Sequence, residues 1–169
     1  MEKIEKIINH KDFKVYLEKN ETYEAVRIFC KHDRKHFLDV CRISYLLYLE
    51  DKELQNKLPY QREEIKEILY SAGFLHDIGR WKEYEEGIPH EIASAELAKP
   101  ILEDSGFCEK EIDIILGLIL SHRKKEISQL HDLSKIFCQA DKMSRECFWC
   151  SVNKECNWKN EKKNRTINL

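Results

Sequence analysis

The chain has 169 residues, 42% hydrophobic and 36% charged, and its 29 Lys and Arg nearly balance 31 Asp and Glu for a net charge of -2. That length suits one domain with its own core. A mean hydropathy of -0.61, with no run near the roughly 20 apolar residues of a spanning helix, excludes a membrane protein, and the balanced charge weighs against a general nucleic-acid binder.

Five Gly and three Pro are too few for a turn-rich β fold, so helices are expected. In chain order, two short helices are read over Glu2–Lys19 and Glu21–Lys31. A long helix follows Asp33 as N-cap and runs through HFLDVCRISYLLYLE. The next covers Arg62 to Asp77, after Pro59, with Gly79 at its stop. Glu83, Glu85 and Glu86 then read as a solvated loop. Another helix starts near His90, after Pro89, and ends before Gly106; the next covers Glu109 to His122. The last begins at Asp132, read as an N-cap, and passes through LSKIFCQADKMSREC. His32-Asp33 and His131-Asp132 are read as helix starts. No segment alternates with a period of two, so the fold class is all-α. A single domain over residues 1–156 is expected, with a polar, flexible tail over 157–169. The first residues, MEKIEKIINHKDFK, carry no apolar signal core, and seven cysteines is an odd number. Together these point to the reducing cytosol, where cysteines are thiols or metal ligands.

The histidines fall on faces that should be apolar. Ile65, Ile68, Leu69 and Ala72 lead to His76, and Leu47, Ile43 and Val40 lead back to His36. Ile112, Ile115 and Ile119 lead to His122, while Ile101, Leu97 and Ala93 lead back to His90. One inward histidine is an ordinary core residue bonded to a carbonyl. Four from separate helices are satisfied together by a metal, because burying ionisable groups costs several kcal/mol without compensation. Asp77 and Asp141 could add oxygen ligands. Such a mixed nitrogen and oxygen set suits Fe, Mn, Co, Ni or Zn better than Mg or Ca.

In these residues the chain resembles the HD superfamily of metal-dependent phosphohydrolases. The ordered set is His36 in HDRKHFLDV, His76-Asp77 in FLHDIG, His90 in IPHEIASAE, His122 in LILSHRKK and Asp141 in FCQADKMSR, spanning about Cys30 to Arg145. Local context is similar to the small bacterial symmetrical diadenosine tetraphosphate hydrolases. The resemblance implies a helical bundle around a central metal site that hydrolyses a nucleotide or another small phosphate ester through a metal-activated hydroxide. It implies one ion on His36, His76, Asp77 and Asp141, and a second bridged by Asp77 to His90 and His122. Arg80, Arg123, Lys142 and Arg145 adjoin these ligands in sequence and are the candidates for gripping phosphate, with Lys82 behind them. The alternatives are a diiron oxygenase on the same six ligands and a non-catalytic nucleotide-binding module. The expected partner is a small phosphorylated substrate, with a homodimer of the chain as a further option; neither a membrane nor a nucleic acid is expected.

Cys147, Cys150 and Cys156 form C-x2-C-x5-C, and the first pair has a spacing common in zinc sites. A structural zinc or iron–sulfur site is one reading; small hydrophobes beside Phe148, Trp149 and Trp158 are the other. A fourth ligand is not evident from spacing. Cys138 stands about 13 Å of helical rise from Cys147, whereas Cys30, Cys41 and Cys108 read as packing residues that could approach only through space.

Overall fold

The computed structural model describes residues 1–124 and 132–167. Among these there are nine α-helices and no strand. They are α1 (Glu2–Asn9), α2 (Lys11–Glu24), α3 (Arg34–Glu50), α4 (Lys52–Lys57), α5 (Arg62–Leu75), α6 (Arg80–Glu86), α7 (His90–Asp104), α8 (Glu109–Ser121) and α9 (Asp132–Met143). The all-α reading therefore holds, and no described helix is long and apolar enough to cross a membrane.

Several boundaries differ from expectation for local reasons. The first break falls at His10, whose Nδ1 accepts the Asp12 amide at 3.2 Å and so caps α2. The expected break near Asn20 lies inside α2, where Asn20 is buried. Residues 25–33 do not continue as helix to Lys31. Asp33 does cap α3, accepting the His36 amide at 2.9 Å. The helix expected to reach Asp77 ends at Leu75, leaving His76 and Asp77 in a turn. The acidic stretch after it is helix α6, stopped by Gly87 at φ +72, a left-handed conformation that glycine adopts without a Cβ penalty. Asp132, expected as an N-cap, is the first residue of α9; His131 lies outside the described residues.

Helix α3 packs chiefly on α5 and α9, α8 bridges α5 and α7, and α6 joins α2 to α7. Phe37, Ile65, Leu69, Leu75, Ile115, Ile119 and Phe137 are fully buried between them, each such side chain contributing roughly 1.5–3 kcal/mol of transfer free energy. The α3 stripe is rotated from the expected one: Phe37, Val40, Cys41, Ser44 and Tyr48 are buried with His36, while Ile43 and Leu47 are half-buried. Gly73 sets the α3–α5 approach, since a Cβ there would stand 2.5 Å from Cys41 Sγ. Asn164 donates its side-chain amide to the carbonyls of Lys142 at 2.7 Å and Arg145 at 2.8 Å, covering backbone acceptors at the end of α9.

Candidate metal centre

The turn Leu75–Arg80 brings the His-Asp pair to the centre of the bundle. Asn20 clamps it from α2, donating to the Asp77 carbonyl at 2.9 Å and accepting the Trp81 amide at 2.8 Å. Gly79 lies against α7, and its amide bonds to Ser94 Oγ at 2.9 Å. A Cβ on Gly79 would fall 2.5 Å from the Ser94 nitrogen, so only glycine lets α7 bring His90 this close.

Six buried ligand residues converge here in two groups, each with donor atoms within 4.8 Å of one another: His36, His76 and Asp141, and Asp77, His90 and His122. His36 Nε2 stands 3.2 Å from His76 Nε2 and 3.6 Å from Asp141 Oδ1. Asp77 joins the groups: its Oδ2 is 3.4 Å from His76 Nε2 and 3.7 Å from His36 Nε2, and its Oδ1 is 3.0 Å from His90 Nε2 and 3.7 Å from His122 Nε2. His90 and His122 face each other through their Nε2 atoms at 3.2 Å.

The other ring nitrogens explain why these contacts call for cations. His76 Nδ1 donates to the Gly73 carbonyl at 2.8 Å, and His122 Nδ1 to the Ile119 carbonyl at 2.5 Å. His90 Nδ1 donates to Glu83 Oε2. His36 Nδ1 donates to Ser144 Oγ at 3.0 Å, because that hydroxyl gives its own proton to the Asp141 carbonyl at 2.7 Å. With each proton held outward on Nδ1, the Nε2 atoms present lone pairs to one another, the arrangement of metal-ligating imidazoles. Asp77 Oδ1 is buried and takes no hydrogen bond. Ligand atoms about 2.1 Å from one ion stand about 3.0–3.4 Å apart at octahedral or tetrahedral angles, close to the separations seen, so the residues fit a pair of divalent transition ions.

The carboxylates are ionised in this setting. Burial pushes Asp77 up, but the imidazoles of His76 and His32, with the rings of His122 and His36 close by, outweigh it and hold the carboxyl well below its usual range. Burial likewise opposes ionisation of Asp141, and Arg145 with His36, His76 and His122 overcomes it.

A cavity of about 430 Å³ opens onto Asp77, His90, His122 and Asp141. Arg80, Arg123 and Arg145 line it, joined by Arg27. Lys142 does not line it: one residue past Asp141 on α9 turns its side chain by about 100°, whereas Arg145 lies beyond the end of α9 at Met143, where the chain has left the helix. Arg145 reaches Asp141 Oδ2 at 3.4 Å. Lys82 is also outside the cavity lining and lies near the Trp81 ring.

Three residues near the centre were not recognised from sequence. Glu83, read as loop, sits on α6 and fixes His90. His32, read as a helix start, places Nε2 3.8 Å from Asp77 Oδ2 while its Nδ1 bonds Glu24 Oε1 at 2.7 Å. Glu24 is buried on α2, accepts Tyr84 at 2.8 Å, and lies 3.3 Å from Arg80 Nε. Glu24 was recoverable, since Phe13, Leu17, Asn20 and Glu24 form one helical stripe and polar residues on it invite the same question as the histidines. Cys147, Cys150 and Cys156 belong to neither ligand group.

Residues 33–146 match the family model described as HD domain. A curated relative from Clostridium beijerinckii, described as an uncharacterized protein, is 43% identical over 167 residues, covering 99% of each chain. No solved structure matches the chain.

Proposed function

Because the chain belongs to the HD-domain family, we propose that it is a metal-dependent phosphohydrolase acting on a small phosphate ester of the nucleotide class. The observation that carries this reading is Asp77 spanning two sets of inward-facing imidazoles at the floor of an arginine-lined cavity. His36, His76, Asp77 and Asp141 would hold one ion, and Asp77, His90 and His122 a second. Divalent ions held there would supply a nucleophile from water at neutral pH and polarise phosphoryl oxygens.

The chain's own groups do the rest. Arg80 is held between Glu24 and Tyr84 with its guanidinium near Asp77, placing fixed positive charge where phosphoryl charge develops. Arg123, half-exposed at the rim, is positioned by Glu83 and Glu91 to meet an incoming anion. Phe29 and Trp158 add flat walls of the kind on which a base stacks, which supports a nucleotide over a simple phosphate. Neither the family match nor the relative narrows this to dinucleoside tetraphosphates.

The test uses anaerobically purified chain loaded in turn with Mn, Fe, Co, Ni and Zn and offered nucleoside mono-, di- and oligophosphates. Release of phosphate or nucleotide is expected, abolished by chelation and by Asp77→Ala. Substrate-dependent oxygen uptake without hydrolysis would replace this reading with the diiron oxygenase. Tight nucleotide binding without turnover under any metal would replace it with a binding module.

A further inference from the structure

The segment after α9 packs with almost no core of its own. Past Ser144 only Cys147 is buried among the described residues, and Trp149 is 76% exposed. Apolar burial of that size does not offset the entropy of fixing some twenty residues, and chains in this position are commonly stapled by a disulfide or a metal. No disulfide is present: all seven cysteines are free.

The backbone already bends the C-x2-C stretch into a tight turn. The Cys150 amide donates to the Cys147 carbonyl at 3.3 Å, and Asn153 donates its side-chain amide to the same carbonyl at 2.7 Å and its backbone amide to Cys150 at 3.3 Å. Cys30, in the connection before α3, is brought to this turn. It shares one cavity wall with Cys147 and Cys156 and an adjacent one with Cys150. Burial pushes the Cys30 thiol up, Arg145 pulls it down, and Cys147 and Cys150 lie near enough to push it up further. The remaining cysteines are placed elsewhere. Cys41 bonds the Tyr70 carbonyl, Cys138 bonds the Ser121 carbonyl, and Cys108 is exposed.

We propose that Cys30, Cys147, Cys150 and Cys156 form a four-sulfur site for one thiophilic divalent ion, of the Zn²⁺ class, separate from the His/Asp centre. Binding converts four thiols and a dication into a tetrathiolate complex of charge 2-, with four protons released to solvent. Arg27, whose Nε donates to the Cys30 carbonyl at 2.8 Å, and Arg145 supply guanidinium charge beside that complex. The sulfurs flank the wall without converging as the imidazoles do. Neutral thiols bond each other only weakly, so their final approach is what the ion brings. The site ties the C-terminal segment, with Trp158, to the loop carrying His32. It stands independently of the proposed phosphohydrolase activity.

The test titrates the full chain, stripped of metal under reducing, anaerobic conditions, with Co²⁺. Nitrogen and oxygen ligands give no sulfur-to-cobalt charge transfer, so the band reports this site alone. Wild type is expected to show intense near-ultraviolet charge transfer from one Co²⁺ per chain, displaced by Zn²⁺. Cys30→Ser and Cys150→Ser lose at least half of that intensity, and Cys108→Ser keeps it. Absence of the band in wild type overturns the proposal, a result that needs no variant to fold. An undiminished band in Cys30→Ser overturns the four-sulfur assignment.

Discussion

Asn20 donates its side-chain amide to the main-chain carbonyl of Asp77 at 2.9 Å, so a residue on α2 holds the backbone of the carboxylate that stands between the two imidazole pairs. The same side chain accepts the Trp81 amide. Asn20→Ala would leave both buried groups unpaired, each costing about 1–3 kcal/mol. A clear fall in thermal stability and metal affinity lowered about 10- to 100-fold are expected, read by calorimetry and metal titration. Unchanged values for both would show that the turn holds itself.

Gly79 and Gly117 make a matched pair. A Cβ at Gly79 meets the Ser94 nitrogen at 2.5 Å and the Ala93 carbonyl carbon at 2.7 Å, both backbone, whereas one at Gly117 meets nothing within 4 Å. Gly79→Ala is expected to destabilise by about 1–3 kcal/mol or more and to displace His90. Gly117→Ala, inside α8, should stabilise by about 0.5–1 kcal/mol. Urea unfolding of both variants reads the difference; equal midpoints would refute the packing argument.

Metal stoichiometry separates the ligand groups. Elemental analysis in a Cys150→Ser background, which removes the proposed sulfur site, should find two ions per chain, one after His122→Ala and none after Asp77→Ala, because Asp77 contacts both imidazole sets. An Asp77→Ala protein retaining both ions would exclude the bridge.

The cavity cations should divide kinetically. In the proposed phosphohydrolase, Arg80, nearly buried beside Asp77, would act at the reacting phosphoryl group, so Arg80→Ala should lower kcat about 100- to 1000-fold. Arg123 is half-exposed at the rim, so Arg123→Ala should mainly raise KM. Lys142→Ala should alter neither. Steady-state kinetics on whichever nucleotide is hydrolysed decides, and a large kcat loss in Lys142→Ala would refute this placement.

Acid sensitivity is expected from Glu24. His32, Tyr84 and Arg80 face this carboxyl, and although burial pushes it up, the bonds from His32 and Tyr84 bring it from 4.5 down to about 2. A carboxylate depressed in the folded state adds stability above its unfolded value, and that stability is lost as pH falls. Metal-free wild type should therefore lose stability progressively from pH 4.5 toward 2, and Glu24→Gln should flatten that window. Parallel curves for the two proteins would remove Glu24 as a source.

The centre was readable because helical periodicity is a local property. His36, His76, His90 and His122 lie on inward stripes whatever the helices pack against, and each is buried. The same rule reached too far at Asp77, expected inside a helix but carried on the turn after it. It also missed α6, whose charged surface shows no apolar period long enough to declare a helix.

What only the tertiary structure decided are relations between residues distant in the chain. Sequence neighbours of the candidate ligands looked alike as phosphate-binding candidates, yet Lys142, one helical step from Asp141 on α9, does not line the cavity, while Arg145, past the end of that helix, does. Glu24 meets His32 and Arg80, Glu83 fixes His90, and Ser144 fixes His36, because separate helices cross at one point. The sequence by itself determined an all-α chain with inward-facing histidines, since that follows from spacing along a helix. Which imidazole nitrogen points inward depends on partners from several helices, and packing alone brings those together.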